Sequence, residues 1–570
     1  MSGQPTALGT LAATVFDYVI VGGGSAGCVM ANRLSSVPEN RVLLIEAGID
    51  TPPGEVPPTI LSSYPMPLFE GDRYTWPGLK VSAHATRLPM RYEQGRVLGG
   101  GSAINVQAAN RGLPRDYDAW HEAGATGWSW EDVLPYFRRL ERDQDFAGPL
   151  HGTAGPVPIR RIPQDEWNGF SNAVAGALAS AGFPRIDDQN AEFGDGYFAP
   201  AISNTDDRRV STASAYLDVE TRQRPNLVLL TEHQVERIVF SNQRAAAVVL
   251  ASAQGRFQVR CKRLVLTAGA LQTPALLMRS GVGPGELLHT LGSSVVAHLP
   301  GVGRNLQDHP CLTLGHYLPR SLRAPPPPRR ASLLALRFSS GAEGGVPSDM
   351  YVATSGRAAW HAVGAQMGLY YLWCNKPLSR GQLTIASLDA AAPPVVQLNL
   401  LSHPFDAARL AKGVRLLAEI SQQPALGRST GRLMPVSLSE RAKSLSRLTR
   451  LNAVLAAAAA GVLDLAGPAR VALLRRFVSD APSLSHLLED DGAMGVYLQQ
   501  HVFGVWHASG TCRMGATHAI DTVVDPRGKL LGLENVWIAD ASVMPSLPSA
   551  NTNIPTVMLA EKISDGLLAS

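Results

Sequence analysis

FDYVIVGGGSAGCVMANRLSSVPENRVLLIEAG, residues 16–48, decides the fold of the nucleotide end of this chain. A β-branched and aromatic run from Phe16 to Val21 meets glycines at 22, 24 and 27. It then passes directly into a small-residue helical pattern from Ala26 to Leu34, the order strand, tight turn, helix. In that order Gly22 allows the turn, Gly24 lets the backbone approach a pyrophosphate, and Gly27 lets helix and strand pack closely. The free N–H groups at the helix start, with the positive end of its dipole, attract phosphates. A second apolar run, Arg41 to Ile45, ends in Glu46, nineteen residues after Gly27. A carboxylate there accepts hydrogen bonds from both hydroxyls of an adenosine ribose and repels the 2′-phosphate of NADP. A glycine triplet alone is often only a turn; the strand, the helix and the acid together make a dinucleotide site, for FAD or for NAD.

At 570 residues the chain has room for two or more domains, or for one large α/β enzyme with insertions. Its 45% hydrophobic content excludes disorder. The net charge of +4 is small and the basic residues read as scattered, so nucleic acid is not indicated as a partner. Five cysteines, at 28, 261, 311, 374 and 512, are odd in number and form no CxxC or Cys/His cluster. That argues against a disulfide framework and against structural zinc, so no metal is expected, and a reducing cytoplasm fits. Residues 1–15 lack Lys and Arg and read as a loose extension rather than a secretory signal. No run of about 18 strongly apolar residues marks a spanning helix.

Beyond Glu46 a Pro-rich segment, Thr51 to Pro67, reads as irregular. Tyr74 and Trp76 in the next stretch either line an adenine or fill core. Residues 95–118 read GRVLGGGSAINVQAANRGLPRDYD. Three consecutive glycines there are costly unless backbone lies against something flat or charged, such as a flavin ring or its phosphates. This stretch resembles the first signature of the glucose-methanol-choline (GMC) oxidoreductases, which are FAD flavoproteins. GALQTPALLMRSGVG at 269–283 is similar to their second signature, and VWHASGT at 505–511, ADAS at 539–542 and SANTN at 549–553 to their C-terminal block. The resemblance runs from about Phe16 to the end.

What the resemblance implies is an α/β protein of the GMC fold. A Rossmann-like, discontinuous FAD-binding domain (16–160, 196–312 and 500–570) is joined to an α+β substrate domain built on an antiparallel sheet (161–195 and 313–499). FAD contacts are implied at Gly22, Gly24, Ser25, Ala26 and Gly27, and at Glu46, Ala47, Trp76 and Arg96. Gly99, Gly100, Ser102 and Asn105 follow from the second glycine run. Val235 falls where the family presents backbone to the adenine, Asp540 and Ala541 where it contacts the pyrophosphate and ribityl chain, and Asn553 beneath the ring. Family members with covalent flavin carry histidine at the position of Ile104, so FAD is expected without a covalent link.

The rest of the chain is less specific. Gly127 to Arg142 reads as a scaffold helix with Ser129 as N-cap. Asn226 to Phe240, Ala245 to Leu250 and Arg256 to Thr267 read as strands, the last running into the Gly269 turn and helix. His309, flanked by Asp308, invites a catalytic label, but a histidine beside an aspartate is usually a satisfied structural pair, and that is the reading preferred here. Thr313 to about Gly345, with prolines 325–328, reads as loop. Tyr351, Trp360, Tyr370, Tyr371 and Trp373 fall in the implied antiparallel sheet, and Tyr371 and Trp373 share a strand face that is either pocket or core. Residues 440–478 are the least family-like. Leu445, Leu448, Leu451, Leu455, Val462 and Leu465 keep helical spacing among Arg441, Lys443, Arg447 and Arg450, and a second basic helix ends at Arg475 and Arg476. A solvated lid or a dimer contact is favoured there over a membrane-surface helix.

Oxidising an alcohol needs a base for the hydroxyl proton and an acceptor for the hydride on the same carbon. His507 and Asn551, 44 residues apart, match the family's base and its neutral hydrogen-bond donor to the developing alkoxide. Trp506, next to the base, is expected to wall the pocket together with Tyr371 and Trp373. The implied reaction is oxidation of aromatic or furanic primary alcohols, and of aldehyde hydrates, with hydride transfer to flavin N5 and reoxidation by O2 to H2O2. A dehydrogenase passing electrons to a quinone is the alternative. A lyase, a photoenzyme or a non-catalytic flavin protein would not need the intact His507/Asn551 pair. Sequence sets neither the substrate nor the oligomeric state.

Overall fold

The computed structural model describes residues 8–69, 71–325, 329–427, 430–436, 444, 446–477, 479 and 481–569. Runs of Val, Ile and Leu without polar interruption form strands buried on both faces, the signature of a parallel sheet covered by helices. The first sheet contains β1 (Val15–Val21), β2 (Val42–Ile45), β3 (Leu227–Leu230), β4 (Gln234–Ser241), β5 (Arg244–Ser252) and β6 (Gly255–Leu266). Their order is β3-β2-β1-β6-β5-β4, with strand Val536–Ile538 also paired to β6. Pairings from β3 through β6 and onto Val536–Ile538 are parallel; β4 and β5 extend the sheet as an antiparallel meander.

Helix α1 (Ser25–Leu34) follows β1, α2 (Gly269–Arg279) follows β6, and α3 (Asn553–Leu568) lies along α1. Ser25 Oγ donates to Asn553 Oδ1 at 2.7 Å, and eight residues further along each helix Arg33 forks onto Glu561, at 2.7 and 2.8 Å. The two helices are therefore parallel and in register. Glu561 is fully buried, yet it also accepts from Arg139 at 3.0 Å and from the Tyr216 hydroxyl at 2.7 Å, so its charge is shared by two guanidinium groups.

A second, antiparallel sheet holds β7 (Pro310–Tyr317), β8 (Ala335–Phe338), β9 (Met350–Ser355) and β10 (Met367–Cys374). Its order is Met434–Pro435, β7, β10, β9, β8, Gly196–Phe198, with Phe503–Gly504 also on β7. Trp373 pairs with Cys311 and Tyr351, and Tyr371 with Thr313 and Ala353. The even residues of β10 face helices: a side chain at Gly368 would meet the Phe170 ring at 2.8 Å. The odd residues, Met367 to Trp373, form the other face.

The structure corrects four readings of the sequence. Residues Leu8–Ala13 are helical, because Leu11 buries itself against β6; residues 1–7 lie outside the described part. Thr313 to Gly345 is not all loop: the end of β7 and all of β8 lie within it, pinned by pairing with β10 and β9, while Pro326–Pro328 are outside the described residues. Trp360 leaves the sheet and donates its indole N–H to the Ser446 carbonyl at 2.6 Å. His309 does not pair with Asp308, as described below. Ser129 is the N-cap expected, accepting from Asp132 N and closing a capping box.

Arg450–Leu465 form one helix of the 440–478 segment, capped by Thr449, and Arg470–Phe477 another; Arg441, Lys443 and Leu445 lie outside the described residues. Ala456, Ala460 and Leu463 bury one face of the first against Tyr317, Met367 and Leu369. Asp464 accepts from Arg323 and Tyr317, and Arg470 caps the last turn through the Leu463 carbonyl at 2.7 Å.

A buried ionic network joins Arg111, Glu141, Asp143, His151, Arg161 and Asp188. Arg161 donates to Asp143 and to Asp188 at 2.6 and 2.7 Å, Arg111 pairs with Glu141, and His151 lies 2.8 Å from Asp188, 3.2 Å from Asp143 and 3.4 Å from Glu141. Glu141, Asp143 and His151 come close enough for a metal, but Arg111 and Arg161 already claim the carboxylates. Burial opposes a charge on His151, but the nearby carboxylates of Asp143, Asp188 and Glu141 outweigh it and push its pKa up to about 10.

The sign follows from the raised pKa. The contribution is complete below the unfolded value near 6.5 and is lost as pH rises towards about 10. His151→Ala should lower unfolding free energy by about 3–5 kcal/mol at pH 6, the cost of breaking a buried pair. Thermal unfolding of both proteins from pH 6 to 10 should show the gap narrowing, and a gap constant with pH would mean that His151 is uncharged in the fold.

Candidate active site

Two glycine runs meet at the start of α1. Gly22 has φ +102°, and a Cβ on it would lie 2.7 Å from the Thr267 carbonyl oxygen; one on Gly27 would lie 1.9 Å from the Gly22 oxygen. Both are glycine by necessity. Gly24 differs, since a Cβ there meets nothing nearer than 3.9 Å, so the protein itself leaves that backbone clear. The second run is joined to the first by Gly99 N donating to Gly23 O at 2.7 Å, and Gly100, φ +51°, abuts Gly24. Neither α1 nor α3 has a side-chain N-cap. Two parallel helices thus bring uncapped positive ends together, which is unfavourable unless an anion sits there.

Glu46 is buried at the end of β2 and accepts from Gly23 N and Gly48 N, both at 2.8 Å. Burial pushes its carboxyl up to about 7, and each oxygen keeps a lone pair for a ribose hydroxyl. Ala47 follows it, and His233 N bonds the Glu46 carbonyl at 3.0 Å, bringing the start of β4 and Val235 to the same edge. The Arg96 guanidinium lies 5.4 Å from the centre of the Trp76 ring, and its buried Nε has no partner. Clear backbone at Gly24, converging helix ends and an orphaned buried guanidinium N–H fit a dinucleotide such as FAD.

Three other expected contacts are engaged by the protein. The Ser102 hydroxyl lies 2.8 Å from that of Thr212 and accepts from Thr212 N at 2.9 Å. Asn105 Oδ1 accepts from Gln107 N and Arg209. Asp540 accepts from Gly269 N, Thr273 Oγ1 and Ser542 N, which ties α2 to the Ala541 turn. These side chains shape the cradle, leaving backbone as the contact they can offer.

His507 and Asn551 come together as expected, with Asn551 Nδ2 2.8 Å from His507 Nε2. His507 Nδ1 lies 2.8 Å from His309 Nδ1, and His309 Nε2 lies 3.1 Å from the Asn375 carbonyl. A carbonyl only accepts, so His309 carries its proton on Nε2 and accepts at Nδ1. His507 must then carry its proton on Nδ1. Its Nε2 lone pair is left facing the Asn551 amide, the tautomer a base requires. Burial, with His309 beside it, holds His507 well below the ordinary histidine range, and burial holds His309 down to about 3.

His309 stands against the candidate base and not against Asp308. Adjacent residues in extended chain point to opposite sides. Asp308 turns the other way, accepting from the Tyr92 hydroxyl at 2.7 Å and from the N–H groups of Val505 and His507 at 3.1 and 3.0 Å. It spans Trp506, whose φ of +63° is a left-handed conformation that a bulky residue adopts only when held. The Trp506 indole donates to Glu93 at 2.9 Å. A histidine immediately before a proline-started strand, with period-two alternation applied to the pair, was the available signal.

Asn551 is held with equal care. Its N–H donates to Asn110 at 3.1 Å, and Asp116 accepts from Ser549 N and Oγ while pairing with Lys376 at 3.1 Å. Asn190 bonds Ala109 O and Arg111 N, linking this segment to the ionic network. Trp373 stacks on Tyr351 with ring centres 4.5 Å apart and lies 6.5 Å from His507; Tyr371 continues the same face and packs with Phe503 and Val505.

GMC oxidoreductase family models match the chain at both ends, the N-terminal model over residues 16–311 and the C-terminal one over 377–560. The chain is 43% identical to a 5-(hydroxymethyl)furfural oxidase of Methylovorus sp. (strain MP688), covering 97% of this chain and 99% of that one. It is 31% identical to an oxygen-dependent choline dehydrogenase of Pseudomonas savastanoi pv. phaseolicola, covering 96% and 93%. Among solved structures it superposes on pyridoxine 4-oxidase from Mesorbium loti with a TM-score of 0.81 at 28% identity, covering 97% and 99%. Motifs, fold and both family models agree, and the protein belongs to the GMC oxidoreductases.

Proposed function

We propose that this FAD-dependent alcohol oxidoreductase oxidises flat aromatic or furanic primary alcohols, and the hydrates of their aldehydes, with O2 as acceptor and H2O2 as second product. The observation that carries the reading is the His507 Nε2 lone pair aimed at the Asn551 amide, 2.8 Å away. A substrate hydroxyl that replaces this direct contact, as the two side chains part, donates to Nε2 and accepts from Asn551. As the proton moves to Nε2, Asn551 stabilises the alkoxide without adding a charge. His507 becomes an imidazolium whose Nδ1–H still points at His309, and His309 is too deeply buried to take the charge itself. FAD, bound, supplies the hydride acceptor. The flat ring of Trp373, 6.5 Å from His507, favours planar substrates, as do the activities named for the furfural and pyridoxine oxidases it resembles.

FAD is held without a covalent bond in this reading. Ile104 is buried against Tyr74 and Val97 and has no nucleophilic atom. Trichloroacetic acid should therefore release all the FAD into the supernatant, and flavin retained in the precipitate would contradict it.

His507→Ala should keep fold and FAD but slow anaerobic flavin reduction by an aryl alcohol by about 10²–10⁴-fold. Asn551→Ala should cost about 10²–10³-fold. Raising the pH supplies preformed alkoxide, so it should partly rescue the first variant and leave the second slow. Stopped-flow spectroscopy reads all three rates, and reduction of His507→Ala at the wild-type rate would remove the base from the mechanism.

A further inference from the structure

The inner face of the Arg450–Leu465 helix is locked to the substrate sheet, while its outer face meets none of the described residues. Leu451 and Val454 are each 67% exposed, Val462 59% and Leu465 89%, and Leu455 is half exposed. Between them lie Ala457, Ala458 and Gly461, also exposed, so four turns present no polar side chain outward. Single exposed leucines are ordinary, but a contiguous apolar face of this length marks a binding surface. The helix cannot roll to hide it, because the Asp464 and Arg470 anchors and the buried Ala456, Ala460 and Leu463 fix its rotation.

Charge selects the occupant. Residues 440–478 hold seven basic residues against two acidic ones, a surplus larger than the +4 of the whole chain, so the remainder is slightly negative. The basic residues are not scattered after all. One of the two acids, Asp464, is already matched by Arg323 and Arg320 from outside the segment. Arg447 and Arg450, both exposed, sit at the helix start. A second copy of this face would bring two such surpluses together, and a nucleic acid would leave the leucines in water. An anionic lipid surface satisfies both: the aliphatic side chains enter beneath the headgroups and the arginines reach the phosphates. No helix among the described residues is long and apolar enough to cross a membrane, so the contact lies in the plane of the interface.

We propose that the outer face of this helix docks the enzyme on anionic phospholipid membranes. The inner side of the same helix covers Met367 and Leu369, on the strand face that continues through Tyr371 to Trp373 beside the catalytic pair. Docking therefore sets the substrate-sheet side of the protein against the bilayer.

The test is flotation of purified holoenzyme with vesicles of phosphatidylcholine alone or of equal parts phosphatidylcholine and phosphatidylglycerol. The wild type should float with the mixed vesicles, and its binding to phosphatidylcholine alone should be weaker by about tenfold or more. Leu451→Glu/Leu455→Glu should stay with neither, while remaining yellow and oxidising a soluble alcohol at the wild-type rate. Arg447→Glu/Arg450→Glu should lose the preference for mixed vesicles. Failure of the wild type to float, undiminished flotation of the leucine variant, or a dimer in solution that the leucine variant converts to monomer would each overturn the proposal.

Discussion

A backbone carbonyl can accept a hydrogen bond but never donate one, and at Asn375 that asymmetry orders the active site. Asn375 is fixed by its N–H to Asp349 O at 2.7 Å and by its side chain, which accepts from the Trp373 indole at 3.0 Å. From it the direction of every proton follows through His309 to His507 and out to Asn551. Had an acid stood in place of that carbonyl, His309 would hold a positive charge and the chain would have no single direction. Burial and the neutral partners act together here: both imidazoles are held below the ordinary histidine range, and of the two bare nitrogens His309 Nδ1 is taken up by His507 while His507 Nε2 faces Asn551.

The scaffold serves this chain from two sides. On one, Asp308 holds the backbone around Trp506 in its left-handed turn and so sets the height of His507. On the other, Asp116, Asn110 and the network around His151 hold the turn that carries Asn551. The nucleotide sheet contributes the third constraint. Its parallel helices α1 and α3 converge at Ser25 and Asn553, a concentration of positive dipole that an anionic cofactor relieves, two residues from Asn551. Binding of the cofactor and placement of the donor are thus properties of one helix start.

Much of this was legible in the sequence, for reasons of local physics. Glycines that cannot bear a Cβ, an acid ending a strand and a capped helix at Ser129 are short-range facts, and each stands where it was read. The pairing of His507 with Asn551 was legible only through the family motif, since nothing local brings residues 44 apart into contact. What escaped was decided by long-range pairing. β8 lies among loop-like residues because β9 and the Gly196–Phe198 strand hold it. Leu8–Ala13 is helical because β6 offers Leu11 a place to be buried. His309 meets His507, 198 residues away, and not its sequence neighbour Asp308, a long-range contact that no local pattern shows. The 440–478 segment reads as basic and apolar, but which of its apolar residues face outward depends on where Asp464 is anchored.

The central claim is a protonation pattern, so the most direct measurement observes nitrogen. The oxidised holoenzyme, labelled with 15N-histidine, can be examined by NMR, with His507 and His309 assigned through the signals lost in His507→Ala and His309→Phe. The account requires neutral His507 protonated at Nδ1 with Nε2 bare, neutral His309 protonated at Nε2, and both patterns unchanged as the pH falls through the ordinary histidine value near 6.5. A proton on His507 Nε2 at neutral pH, or a His309 that takes up charge near pH 6.5, would contradict it.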